Sequence, residues 1–369
     1  FRLKSLYHNI DEALELATSI LNGSHVDDTA RLKEVLSELR NDMRSAVIPS
    51  GHSFASLRAG AHLRSVIHIE DNWRGVGQLE FLSDIGEEGG MGLEELAGKL
   101  RSLRERIITR ERMILNITAE EEHFEEVREA TEGAVLQFRA GDSENGGGPG
   151  FLSRDTTVLS PQPHGRAGSE ASAGTSPEER RNGGDRTTEL QSEAGRSVAA
   201  GEEPVRWESL IVPAAVGYSS MTLPAATYGE DAHPLQVLLA QLLKTDYLWE
   251  KVRMQGGAYG AAASAHALEG VFSFLSYRDP DVSRSLGVYE QAFADFAKQG
   301  PDARELEKAI IAVVGKDARP KSPGEKSIVG LRRVLYGITD ESRREKRRRM
   351  LEAVPEDISS QAKALYPEL

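Results

Sequence analysis

Residues 139–205 set the first limit on what this chain can fold into. Gly, Ser, Glu, Arg and Pro dominate there, as in Gly146-Gly147-Gly148-Pro149 and from Ala167 to Asp185, and aliphatic residues are sparse. Fixing one residue's backbone costs about 1–2 kcal/mol, and this stretch has too little apolar surface to offset that cost. It is expected to be a disordered linker or insertion. The rest of the chain is then two globular segments, 1–138 and 206–369, each of a size usual for one domain.

The first segment reads as mostly helical. Phe1 to Leu6 alternates apolar and polar residues, a short strand pattern. Asn9 can cap a helix carrying Leu14, Leu16 and Ile20. Leu32, Val35, Leu36, Leu39 and Met43 follow at helical spacing until Pro49 and Gly51 break the pattern. Further helices are expected over 53–63 and 93–107. Met113 to Ile117 has strand character, and Thr118 is placed to cap a last helix to Phe138, with Glu121 at the capping-box position. In the second segment, Leu210 to Val216 is strand-like, and helices are expected over 233–244 and 247–254. Tyr259 to Ala265 and Gly270 to Tyr277 read as two strands joined by a turn. Helices follow from Val282, Asp302, Gly324, Asp340 (with Thr339 as cap) and Pro355. The expected fold class is α+β: two related domains, each a mainly antiparallel sheet backed by helices.

Composition excludes several functions. A net charge of −13 argues against nucleic acid or an anionic membrane as the partner, and would attract basic peptides instead. With no cysteine, disulfides, thiolate chemistry and Cys-ligated metals are ruled out. No apolar run approaches the ~18 residues that suggest a membrane span. The opening segment has neither a signal-peptide core nor transit-peptide character, so any targeting signal is expected upstream of Phe1.

The chemistry-bearing motifs are few. None of the nine His begins H-E-x-x-H or H-x-x-E-H. Glu120, Glu121, Glu122 and His123 fit a solvated helix face better than a ligand cluster. No phosphate loop and no G-x-S-x-G elbow is present. The most informative stretch runs from Tyr247 to Pro280. A helix carrying Arg253 ends at Gly256-Gly257, and a strand begins near Ala258. Arg253 offers a permanently charged donor fork and Tyr259 a phenol, and together they suit an extended peptide. The plainer alternative makes Gly256 a helix C-cap, Arg253 a charge near a helix C-terminus and Tyr259 a core aromatic. The residues alone favour that plainer reading.

The same stretch resembles the presequence protease and falcilysin group of pitrilysin-like inverted-zincin peptidases. The likeness lies in Gly256-Gly257-Ala258-Tyr259-Gly260 after Arg253, then Gly270-Val271-Phe272, then Leu275-Ser276-Tyr277-Arg278-Asp279-Pro280. Leu335 to Glu341, Ala309-Ile310-Ile311, Ser50 to Ala59 and Asn116-Ile117-Thr118-Ala119 extend it over both segments in order. The resemblance implies the third and fourth domains of a four-domain peptidase whose two halves close around unfolded peptides. Zinc and the general base are implied to sit on H-x-x-E-H in an N-terminal half, the expected partner, with no cofactor in this chain. Arg253 would help position the peptide backbone. Tyr259 would donate to the scissile carbonyl that zinc polarises, and Gly256, Gly257 and Ala258 would line the substrate path. The chain alone would be inactive. Relative to the group, the third domain is expected to begin partway through, the linker is longer, and a last strand is expected to be lacking. A mitochondrial or plastid-type organelle is the implied compartment. An inert peptide-binding or scaffold subunit of the same fold is the alternative function. His52 is left to helix packing.

Overall fold

The computed structural model describes residues 1–86, 90–140 and 207–366. The expected linker therefore lies outside the described residues, apart from Arg139 and Ala140. The first segment contributes helices α1 (Ile10–Gly23), α2 (Thr29–Ala61), α3 (Ser65–Arg74), α4 (Val76–Asp84), α5 (Leu93–Ile107) and α6 (Phe124–Val135). The second contributes β1 (Ser220–Pro224), α7 (Ala232–Leu242), β2 (Gly260–His266), β3 (Val271–Tyr277), α8 (Val282–Lys298), α9 (Ala303–Ala318), α10 (Pro323–Leu335), α11 (Asp340–Leu351) and α12 (Pro355–Leu365). Two π-helical turns, Leu243–Tyr247 and Trp249–Met254, extend α7 toward β2.

The molecule is α+β, with one antiparallel sheet in the order β1-β3-β2 among the described residues. All of its strands belong to the second segment. The sheet expected in the first segment is not formed among the described residues. Phe1 to Leu6 and Met113 to Ile117 enter no ladder, and Phe1, Leu6, Ile114 and Leu115 are exposed. An alternating pattern becomes a strand only when a neighbour takes its backbone hydrogen bonds, and neither stretch has one. The strand expected at Leu210 to Val216 forms later, as β1. That earlier stretch precedes only an isolated bridge between Gly217 and Asp279. Thr118 does not cap α6, which is preceded by a single 3-10 turn at Glu121–His123.

β3 is the centre of the core. Its alternate residues Phe272 and Phe274 are fully buried and meet Tyr289 and Phe293 of α8 at ring-centroid distances of 5.0–5.4 Å. Leu238, Leu239, Leu243, Leu248 and Ile358 complete the cluster. Burying each such side chain contributes about 1.5–3 kcal/mol. Asp302 and Ser322 open α9 and α10 with full capping boxes to Glu305 and Glu325.

α2 packs across β1 and β3, so the first segment covers part of the sheet. The break expected at Pro49 is a kink at Ser50 (φ −121°, ψ 20°), and the helix continues beyond it. The Tyr218 hydroxyl donates to the Ile48 carbonyl just before the kink. The Tyr218 ring fills the space over Gly51, where an added Cβ would lie 2.3 Å away. Farther along, Arg64 donates through Nε and Nη2 to the Glu269 and Gly270 carbonyls at 3.0 and 2.9 Å, pinning the β2–β3 turn. Arg58 bridges Glu208 at 2.8 Å and the fully buried Asp71 at 3.2 Å. Burial opposes ionisation of Glu208, but bonds from Arg58 and His62 prevail and hold its carboxyl below the usual value.

Candidate functional site

The path from helix to strand is built by nested backbone bonds. Gly257 takes φ +81°, the left-handed conformation that reverses the chain at a helix end. Its N–H donates to the Arg253 carbonyl at 2.9 Å, and the Ala258 N–H donates to the Val252 carbonyl at 3.2 Å. A Cβ at Gly256 would lie 2.5 Å from the Val252 carbonyl oxygen. Both glycines are thus demanded by the turn. The C-cap reading fits Gly257 rather than Gly256.

That turn fixes where Arg253 and Tyr259 emerge. Arg253 leaves the second π-helical turn, a backbone form concentrated at functional sites. Its guanidinium carbon lies 3.8 Å from the Trp249 ring centroid and 6.0 Å from that of Tyr259. Tyr259 is 66% exposed, so the core-aromatic alternative for it falls. Neither the guanidinium nor the phenol hydroxyl has a hydrogen-bond partner among the described residues. Two strong donors are therefore held side by side, stacked on an aromatic face. Ala258 is placed differently. It is 3% exposed in the core with its N–H already spent, so its side chain packs the fold.

A shallow cleft of about 470 Å³ opens beside Arg253, lined by Lys244, Thr245, Trp249, Gly260 and Ala261. β2 runs along it as an edge strand of the sheet. On the other side of Tyr259 an aromatic row continues. Tyr277 lies edge-on to Tyr259 at 5.7 Å, His52 lies edge-on to Tyr277 at 4.9 Å, and Tyr218 is 5.9 Å from Tyr277. Arg278, the single described non-glycine residue with positive φ (49°), stacks at 5.3 Å from the Tyr277 ring. Its carbonyl accepts from the Tyr259 N–H at 3.2 Å. Burial pushes the His52 imidazole below its ordinary value, which keeps it neutral at pH 7.

Sequence reasoning singled out neither Trp249 nor this row. Trp249 carried a usable signal, since i and i+4 on a helix place it against Arg253. His52 and Tyr277 carried none, being joined only by the fold.

Zinc finds no home in the described residues. Among them, Glu120, Glu122 and His123 are the one group of carboxylates and His close enough to converge on an ion. Both Glu are exposed, and His123 stacks on Tyr7 at 3.7 Å. These residues do not reproduce two His a turn apart with a base, so the zinc of an inverted zincin does not fit here.

Comparison with known proteins covers both segments. The family model described as PreP C-terminal domain matches residues 207–366. A second model, described as associated with the M16 peptidases of subfamily C, matches residues 1–85. Presequence protease 1, chloroplastic/mitochondrial, of Arabidopsis thaliana is 26% identical over 99% of this chain and 29% of its own length. Presequence protease, mitochondrial, of Xenopus tropicalis is 25% identical over 96% of this chain and 32% of its own. The chain thus spans about a third of the length of the curated relatives it matches. Among solved structures, a peptidase M16 inactive domain from Pseudomonas fluorescens aligns with 42% of this chain and 38% of its own. That alignment has 18% identity and a TM-score of 0.35, too slight a likeness to bear weight.

Proposed function

Because the chain belongs with the presequence proteases, through their C-terminal domain and the domain associated with subfamily C of the M16 peptidases, we propose that it is the non-catalytic C-terminal half of a zinc metalloendopeptidase that degrades unfolded peptides. The H-x-x-E-H pattern occurs nowhere in its sequence, so the metal chemistry would belong to a partner half. This half would close the chamber and hold the substrate. The observation that carries the reading is the pairing of Arg253 and Tyr259, two unpartnered donors on one ledge beside an edge strand. An extended peptide can lie along β2, where free strand-edge groups accept a further strand. Arg253 would then hold a peptide carbonyl, and the Tyr259 O–H would donate to the oxygen of the scissile bond. Gly256 and Gly257 shape the approach without side chains. By relationship, the compartment would be mitochondrial or of plastid type.

The test is reconstitution. Alone, the chain should cleave nothing. Mixed with a zinc-bearing presequence protease half, it should restore turnover of a fluorogenic peptide. Tyr259→Phe should then lower kcat by roughly 10²–10³, the scale of losing one oxyanion donor. Arg253→Leu should mainly raise KM. Equal turnover by Tyr259→Phe and the parent would remove the role given to the phenol. Peptide binding without turnover alongside any competent half would favour an inert scaffold.

A further inference from the structure

A second cavity lies away from that ledge in the fold, among α9, α10 and α11, and does not depend on the peptidase reading. Its volume is about 300 Å³. Val313, Val329 and Met350 give it an apolar floor. Its mouth carries Arg332, Arg333, Arg343, Lys346 and Arg347 against one lining carboxylate, Asp317. In a chain of net charge −13 this is a strong local reversal of sign.

The ion pairing around the mouth is incomplete. Asp317 is shared by Arg347 at 3.0 Å and Arg343 at 4.0 Å, and Arg343 also reaches Asp340 at 2.8 Å. Arg332, Arg333 and Lys346 have no carboxylate within ion-pair distance among the described residues. Lys346 is the informative one, since it is partly buried. Its Nζ lies 3.4 Å from His233 Nε2 and 5.1 Å from the Tyr228 ring centroid. The Nδ1 of that His is buried without a partner. Desolvating an ammonium is costly unless an anion compensates it. An apolar floor under a cationic mouth is complementary to a molecule with one anionic end and one greasy end.

We propose that this cavity binds a small single-chain anionic amphiphile, its acid group between Lys346 and the α10 arginines and its apolar chain on the valine floor. At about 30 Å³ for each water-sized group, the cavity takes roughly ten such groups, the size of a medium-chain fatty acid.

Calorimetric titration of the full chain tests this with decanoate, with decanol and with phosphatidylglycerol vesicles. Decanoate should bind saturably and at least about tenfold more tightly than decanol, as loss of a charge-assisted pair implies. Lys346→Met should remove most of that difference. Val329→Trp, filling the floor, should abolish binding of both ligands, with a cooperative melt confirming that each variant folds. Equal affinity for decanoate and decanol, unchanged binding by Val329→Trp, or binding to vesicles alone would overturn the proposal.

Discussion

His233 shows how one residue can set the acid limit of this fold. It sits in the first turn of α7, only 1% exposed. Lys346, Glu230 and His266 are its charged or titratable neighbours. Burial, reinforced by the positive Lys346, pushes its pKa down to about 4 from an ordinary 6.5. A depressed pKa means the unfolded chain takes the proton first. The stability that depends on neutral His233 is therefore full above about pH 6.5 and drains away as pH falls toward 4. The shift corresponds to about 3 kcal/mol over that window. Urea midpoints measured from pH 7 to 5 should fall for the parent protein and fall distinctly less for His233→Gln. Parallel curves would show that another group governs the acid limit. At this scale the sequence was partly legible. Arg253 and Tyr259 announce themselves by spacing around two glycines, because a helix end is a local object. His52, Tyr218 and Tyr277 meet only through tertiary packing, so no window of sequence links them.

Among the elements, the β2–β3 hairpin and the capped helices α9 to α11 follow from local signals: alternation, a turn glycine, and Asp, Ser or Thr at the caps. The two expected strands of the first segment failed for a non-local reason, the lack of a neighbour. α2 was misjudged at Pro49, which bends this helix without ending it, because packing on β1 and β3 supports both halves. The bend has a testable partner. With the Tyr218 ring 2.3 Å from a Cβ built on Gly51, Gly51→Val should destabilise the protein by about 1–3 kcal/mol, the usual cost of overpacking. Tyr218→Ala should recover part of that loss in the double variant, since neighbouring changes couple. Additive effects in denaturant titrations would mean that the ring and the glycine are not in close contact.

At the scale of the whole molecule, the described residues are tied together by contacts remote in sequence. Arg64 to Gly270 spans 206 positions, Tyr218 to Ile48 spans 170, and Arg58 to Glu208 spans 150. Such contacts repay their loop-closure cost late, so refolding from urea should be slow and limited by their formation. Arg64→Ala should raise the unfolding rate and leave the refolding rate nearly unchanged if the turn latch closes after the rate-limiting step. An equal slowing of refolding would place the latch in the nucleus.

The Arg64 latch also has a meaning for the ribosome. Its two carbonyl acceptors are translated roughly 10–40 s after the arginine itself, at ordinary rates of about 5–20 residues per second. Through that interval the sheet-facing side of α2 is already synthesised and has nothing to lie against. A cell making this chain must keep a greasy helix out of trouble during that wait, and the demand on its chaperones is set by the length of the intervening message.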